Sequence, residues 1–102
     1  SLNTKESISA EEVFTRLEFR PQAFEDLFWW VEKDRKTALK IGKLLREIER
    51  SPFEGTGKPE PLRYSAARLW SRRIDGEHRI VYEVTSAGVI VHACRFHYDD
   101  ME

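Results

Sequence analysis

Between Lys58 and Tyr98 the chain carries a carboxylate, a histidine and a run of cations in four short groups. They are Lys58-Pro59-Glu60-Pro61-Leu62, Trp70-Ser71-Arg72-Arg73-Ile74, Glu77-His78-Arg79 and Arg95-Phe96-His97-Tyr98. These are the side chains that metal-free cleavage of RNA through its own 2′-OH requires. A base takes the hydroxyl proton, cations hold the charge that builds on the phosphorane, and an acid protonates the leaving 5′ oxygen. Glu60, the arginines and His97 are candidates for these three tasks. An imidazole suits the acid because its ordinary pKa, about 6.5, lets it release a proton at cellular pH. Pro59 and Pro61 fix the φ angles on either side of Glu60 and hold its carboxylate in a stiff segment. Each residue alone is unremarkable, since a loop glutamate is normally solvated and a strand-end histidine normally lies at the surface.

Charge supports this grouping once it is divided along the chain. The whole sequence carries −1, but Leu17 to Tyr98 carries +3, because the first 16 residues and the last four are acidic. Lys58 to Arg79 holds six cations (Lys58, Arg63, Arg68, Arg72, Arg73, Arg79) against Glu60, Asp75 and Glu77. A local basic cluster of this kind is the footprint expected of an RNA-phosphate contact, with Lys58, Arg63, Arg72 and Arg73 as candidate binders. A solvated face would carry the same signature.

These residues need a scaffold, and 102 residues suffice for one domain with a modest core. No apolar run approaches a membrane span, no leader-like segment opens the chain, and the single cysteine, Cys94, fits a reducing cytoplasm. Cys94 reads as a buried strand thiol. Ser1 in place of methionine points to processing or engineering. Ser9 and Glu12 form a capping box, with Ile8 and Val13 as a staple, predicting a short helix from near Ala10. Arg16 to Phe19 reads as a strand, closed by Pro21 at the first turn of a helix. In that helix Phe24, Leu27, Phe28 and Val31 fall at helical spacing beside Trp29 and Trp30, a face for the core or for a partner. A second helix over Arg35 to Arg50 turns Ala38, Ile41, Leu44, Leu45 and Ile48 inward, and Lys36, Lys40, Lys43, Arg46 and Glu47 outward.

Ser51 to Leu62 contains three prolines and two glycines and is predicted to be loop. Strands are expected over Leu69–Ile74, His78–Thr85 and Val89–Phe96, with turns at Asp75-Gly76 and Ser86-Ala87-Gly88. The fold class is therefore α+β, two helices packed on an antiparallel sheet. Strict alternation puts Arg79, Val81 and Glu83 opposite Ile80, Tyr82 and Val84. It also puts Val89, Val91, Ala93, Arg95 and His97 together on one face, with His92 on the other. Pairing of Arg79 near His97 would create a phosphate site. Three separated histidines and one cysteine lack zinc spacing, so neither a metal nor another cofactor is implied.

The order and wording of the four groups resemble the YoeB-type toxins of the RelE-like superfamily, small ribosome-dependent mRNA endonucleases with a microbial-ribonuclease-like fold. The resemblance covers Leu17 to Tyr98. It leaves residues 1–16 as an extension and 99–102 as an acidic tail, whose carboxylates would raise the pKa of His97 and repel RNA. It implies Glu60 as general base and His97 as general acid. Tyr98 would orient substrate or leaving group, and Arg79 would stabilise the scissile phosphate with a planar fork. Arg63 and Arg73 would hold RNA phosphates, and His78 would be structural. The chain departs from the pattern at Ser65-Ala66-Ala67-Arg68-Leu69, where a glycine-containing turn is usual.

What the resemblance implies is cleavage of mRNA in the ribosomal A site, initially giving a 2′,3′-cyclic phosphate. The implied partners are the bacterial ribosome, mRNA and a YefM-type antitoxin, with a homodimer left open and no membrane. The alternative is a module of the same fold that binds ribosome or antitoxin without cutting. A gyrase-directed relative fits less well, since that branch does not need Glu60 and His97 together.

Overall fold

The computed structural model describes residues 16–62 and 68–95. The helix expected near Ala10, Arg63, His97, Tyr98, the end of the last strand and the acidic tail lie outside the described residues. Strand β1 (Leu17–Phe19) leads into helices α1 (Pro21–Lys33) and α2 (Arg35–Arg50). Strands β2 (Glu60–Pro61), β3 (Leu69–Arg73), β4 (Arg79–Thr85) and β5 (Gly88–Ala93) follow. They form one five-stranded sheet in the order β1-β5-β4-β3-β2. No described helix is long and apolar enough to cross a membrane.

Two features correct the sequence reading of the sheet. It is mixed, because β1 pairs parallel to β5 (Leu17 with Val89, Phe19 with Val91), and two helices separate those strands as a parallel connection requires. The predicted loop Ser51–Leu62 also contributes β2, where Glu60 and Pro61 pair with Ser71 and Trp70 on β3. A proline there is tolerated because β2 is an edge strand.

The helix pair is set by Pro21 and Asp34. Pro21 occupies the first turn of α1, where its missing N–H is not needed. Asp34 ends α1 through its N–H to the Trp30 carbonyl (2.7 Å) and caps α2, its carboxylate accepting from the Thr37 N–H (3.2 Å) and hydroxyl (2.8 Å). The inward face of α2 is as expected, with Ile41, Leu44, Leu45 and Ile48 buried against Ile80, Tyr82, Val89 and Val91. In α1 the phase differs. Ala23, Asp26 and Trp30 are buried, while Phe24, Phe28 and Val31 stand 63%, 57% and 39% exposed, forming an apolar ridge on the surface.

Gly88 opens β5 at φ 144°, and a Cβ there would collide with the Arg16 backbone, so glycine is what lets β1 approach. Farther along β5 the alternation breaks. Val81 pairs with Ala93 but Tyr82 pairs with Val91, leaving His92 as an extra residue in a bulge. Val89 and Val91 therefore join the helix-side core with Cys94, while Ala93 does not. The single face predicted for Val89, Val91, Ala93 and Arg95 is divided at this point. The turn at Asp75 is secured by its carboxylate, which accepts from the N–H groups of Glu77 (2.8 Å) and His78 (2.7 Å).

Candidate active site

Paired residues in neighbouring strands lie on the same face of a sheet, so the register states which side chains meet. Glu60 stands opposite Ser71, Ser71 opposite Val81, and Val81 opposite Ala93. Two residues along β3 and β4, Arg73 stands opposite Arg79. The alternate residues Ile80 and Tyr82 belong to the core beneath the helices. Glu60, Ser71, Arg73 and Arg79 thus share the face turned away from them. Strand spacing and rise put the Glu60 and Arg79 backbones about 12 Å apart, a gap that two long side chains and a phosphodiester can fill.

The electrostatics of this face are those of an anion site. Like charges directly opposite in a sheet are destabilising, yet Arg73 and Arg79 face each other, and among the described residues neither makes an ion pair. The Arg79 Nε and the Ser71 Oγ are buried and, among the described residues, have no hydrogen-bond partner. A phosphate bound between the arginines would relieve the repulsion and satisfy the buried donor. The Arg73 N–H donates to the Gly57 carbonyl (2.7 Å), which brings Lys58 to the same end of β3. Lys58 adopts φ 51°, an uncommon backbone state for a side-chain-bearing residue and one that tends to occur at functional sites.

Arg72 does not belong to this face. Its side chain is fully buried on the helix side, which corrects its reading as an RNA-binding residue. The guanidinium donates from Nε to the Tyr82 hydroxyl (3.3 Å), and from Nη1 to Glu47 (2.6 Å) and the Thr56 carbonyl (3.2 Å). From Nη2 it donates to the carbonyls of Glu54 (2.8 Å) and Ser51. Its donors are directed inward at a strand, a helix and a loop, leaving no fork for a phosphate. Glu47, expected to point outward from α2, is drawn into the same cluster and accepts from the Thr56 N–H (2.9 Å) and hydroxyl (3.2 Å). The Thr56 backbone bond is the main influence holding the Glu47 carboxyl below its usual range, and Arg72 adds to it.

A family model for the YoeB-like toxin of bacterial type II toxin-antitoxin systems matches residues 19–98. The chain belongs to this family. Toxin YoeB of Escherichia coli K12 is 43% identical over 83 residues, covering 81% of this chain and 99% of the relative. Toxin RelK of Mycobacterium tuberculosis is 50% identical over 80 residues, covering 78% and 94%. Among solved structures, a YoeB/ParE toxin from Agrobacterium tumefaciens superposes with a TM-score of 0.78 at 42% identity, covering 82% of this chain and all of that one. A YoeB dimer from Staphylococcus aureus gives 0.75 at 41% identity, covering 83% and 99%. The heterotetrameric YoeB-YefM complex from the same organism gives 0.73 at 41%, covering 82% and 98%.

Within the toxin, the described structure brings together Glu60, Arg73 and Arg79, with Lys58 adjoining; Arg63, His97 and Tyr98 are outside it. Sequence reasoning missed what holds the chain just before His97. Asp26, only 2% exposed, accepts from the Cys94 N–H (3.0 Å), and the Trp30 indole donates to the Cys94 carbonyl (2.8 Å). Helix α1 thereby grips both backbone polar groups of Cys94, and the Arg95 guanidinium lies 3.7 Å over the Trp29 ring. The available signal was an aspartate, Asp26, within a helix otherwise rich in apolar residues. Cys94 is buried as expected; burial, reinforced by the Asp26 charge, pushes its thiol up to about 12. His78 packs edge-on against Trp30, and His92 bonds Glu83 (3.0 Å) beside the bulge.

Proposed function

We propose that the toxin is a ribosome-dependent endoribonuclease that cuts mRNA in the A site by general acid and base catalysis, without a metal. Glu60 takes the proton from the 2′-OH, whose oxygen attacks the adjacent phosphorus. Arg79 and Arg73 hold the charge of the phosphorane, and Lys58 and Arg63 hold flanking phosphates. His97 protonates the departing 5′ oxygen, leaving a 2′,3′-cyclic phosphate, and Tyr98 orients the leaving group. The observation that carries the reading is the shared sheet face on which one carboxylate lies near two opposed arginines that make no ion pair among the described residues. The arginines favour the dianionic transition state over the monoanionic ground state.

A YefM-type antitoxin, a second copy of the toxin and a cytoplasmic setting complete the reading. The exposed ridge of Phe24, Phe28 and Val31 supports a protein partner. The test is 5′-end mapping of an mRNA on programmed bacterial ribosomes, with Glu60→Gln and His97→Gln controls. A cut within the A-site codon that is lost in both controls is the expected result. Ribosome binding with no cut would replace catalysis with a non-cleaving binding module.

A further inference from the structure

Glu60 lies in a two-residue strand at the edge of the sheet, yet the proposed reaction requires its carboxylate to be held in place. The segment leading to it is anchored at several points. Thr56 is bound through its N–H and hydroxyl to Glu47 and through its carbonyl to Arg72; Pro52 is bound through its carbonyl to the Tyr82 hydroxyl (2.6 Å). Only Gly57, Lys58 and Pro59 separate this anchor from Glu60. Gly57, at φ 89°, is seated against β3, and a Cβ there would come to 3.0 Å from the Arg73 carbonyl. Pro59 and Pro61 remove two more backbone freedoms. A segment with so little slack transmits a shift at Thr56 to Glu60.

We infer that Glu47 and Arg72 are positioning residues for the catalytic carboxylate. Together with Tyr82 they form a clamp that ties helix α2 and the core face of β3 and β4 to the loop bearing Lys58 and Glu60. This rests on the proposed role of Glu60. Neither Glu47 nor Arg72 touches RNA. Arg72 points into the core and holds the loop, while its chain neighbour Arg73 points to the opposite face and holds phosphate, so one dipeptide serves both sides of the sheet.

The test is a double-mutant cycle in single-turnover cleavage on programmed ribosomes, with Glu47→Gln and Glu60→Gln singly and combined, at a temperature where all four proteins are folded. Loss of alignment at a reacting group costs on the order of a hundredfold, so Glu47→Gln is expected to slow cleavage about tenfold to a hundredfold without weakening ribosome binding. In the Glu60→Gln background the same change is expected to cost little more, because there is no longer a base to align. Where Glu47→Gln does not fold, Thr56→Val gives the same cycle. It keeps the backbone donor and loses only the hydroxyl contact to Glu47. Equal loss in both backgrounds, or no loss from the clamp variant alone, overturns the proposal while leaving Glu60 in its role. A Glu60→Gln protein that cleaves at the unaltered rate overturns the role of Glu60 and the clamp with it.

Discussion

Arg72 and Arg73 are adjacent in sequence and alike in chemistry, and the structure requires their substitution to produce opposite phenotypes. Methionine at position 72 retains much of the buried stem but removes five donated hydrogen bonds from a side chain with no solvent exposure. Bonds from a charged donor contribute about 1.5–3 kcal/mol each. The carbonyls of Ser51, Glu54 and Thr56 line a partly exposed loop and regain water, so only a fraction of that sum is lost. A net cost of about 3–4 kcal/mol is reasonable, close to what breaking a buried ion pair costs. For a domain of this size that corresponds to a fall in Tm of roughly 12–30 °C. Arg73→Met removes an exposed side chain and should change stability by no more than about 0.5 kcal/mol. Its effect should appear in binding to a single-stranded RNA oligonucleotide, where losing one phosphate contact lowers the salt-dependence slope by about 0.7. Thermal unfolding and a salt titration of both variants decide the matter. An Arg72→Met protein with unaltered Tm and a reduced slope would refute the assignment of the two arginines to opposite faces.

Asp26→Ala leaves the buried Cys94 N–H without an acceptor and should cost about 1–3 kcal/mol, seen as a lower midpoint in urea unfolding. The Cys94 thiol, pushed up to about 12 by burial, should resist a thiol reagent at pH 8 in the folded protein and react at once after unfolding. Because the folded thiol holds its proton more tightly than the unfolded one, the stability it contributes is present below about pH 9 and declines as the pH rises toward 12; Cys94→Ala should flatten that alkaline limb. The Asp34 carboxyl is held below its ordinary range, first by the Thr37 hydroxyl and then by the Thr37 N–H. Its contribution is therefore complete above the unfolded value and is lost as the pH falls through the folded one, so Asp34→Ala should reduce the acid dependence of unfolding measured by circular dichroism.

Local rules made much of this molecule legible. Pro21 marks the start of α1, and the apolar spacing of α2 gives its buried face directly, because these signals act within a few residues. Asp75 and Gly88 likewise mark the turns of the meander. Long-range contacts were less legible. Nothing near Leu17 specifies parallel pairing with β5, and the short edge strand at Glu60 exists only because β3 offers it a partner. The bulge at His92 reverses the alternation of β5 without a glycine or proline to announce it. In α1 the spacing of Phe24, Phe28 and Val31 is as helical as that of the buried residues, so period alone does not tell a core face from a partner face.

The candidate site shows the same division more sharply, because charge in sequence does not report the face on which a side chain stands. Six cations within Lys58 to Arg79 form one cluster by composition, but the sheet sorts the three that lie on its strands by parity. Arg73 and Arg79 fall on the face of Glu60, whereas Arg72 falls on the face of Tyr82 and spends its donors on Glu47 and the loop. The sorting gives each cation a different consequence of burial. A buried guanidinium is tolerable only when its donors are satisfied, which the cluster around Arg72 achieves within the fold. Among the described residues the buried Arg79 Nε finds no acceptor, which leaves a donor for a bound anion. A phosphate would match a planar fork opposed by a second arginine, and in the proposed reaction the carboxylate on the same face, Glu60, takes the proton of the neighbouring hydroxyl.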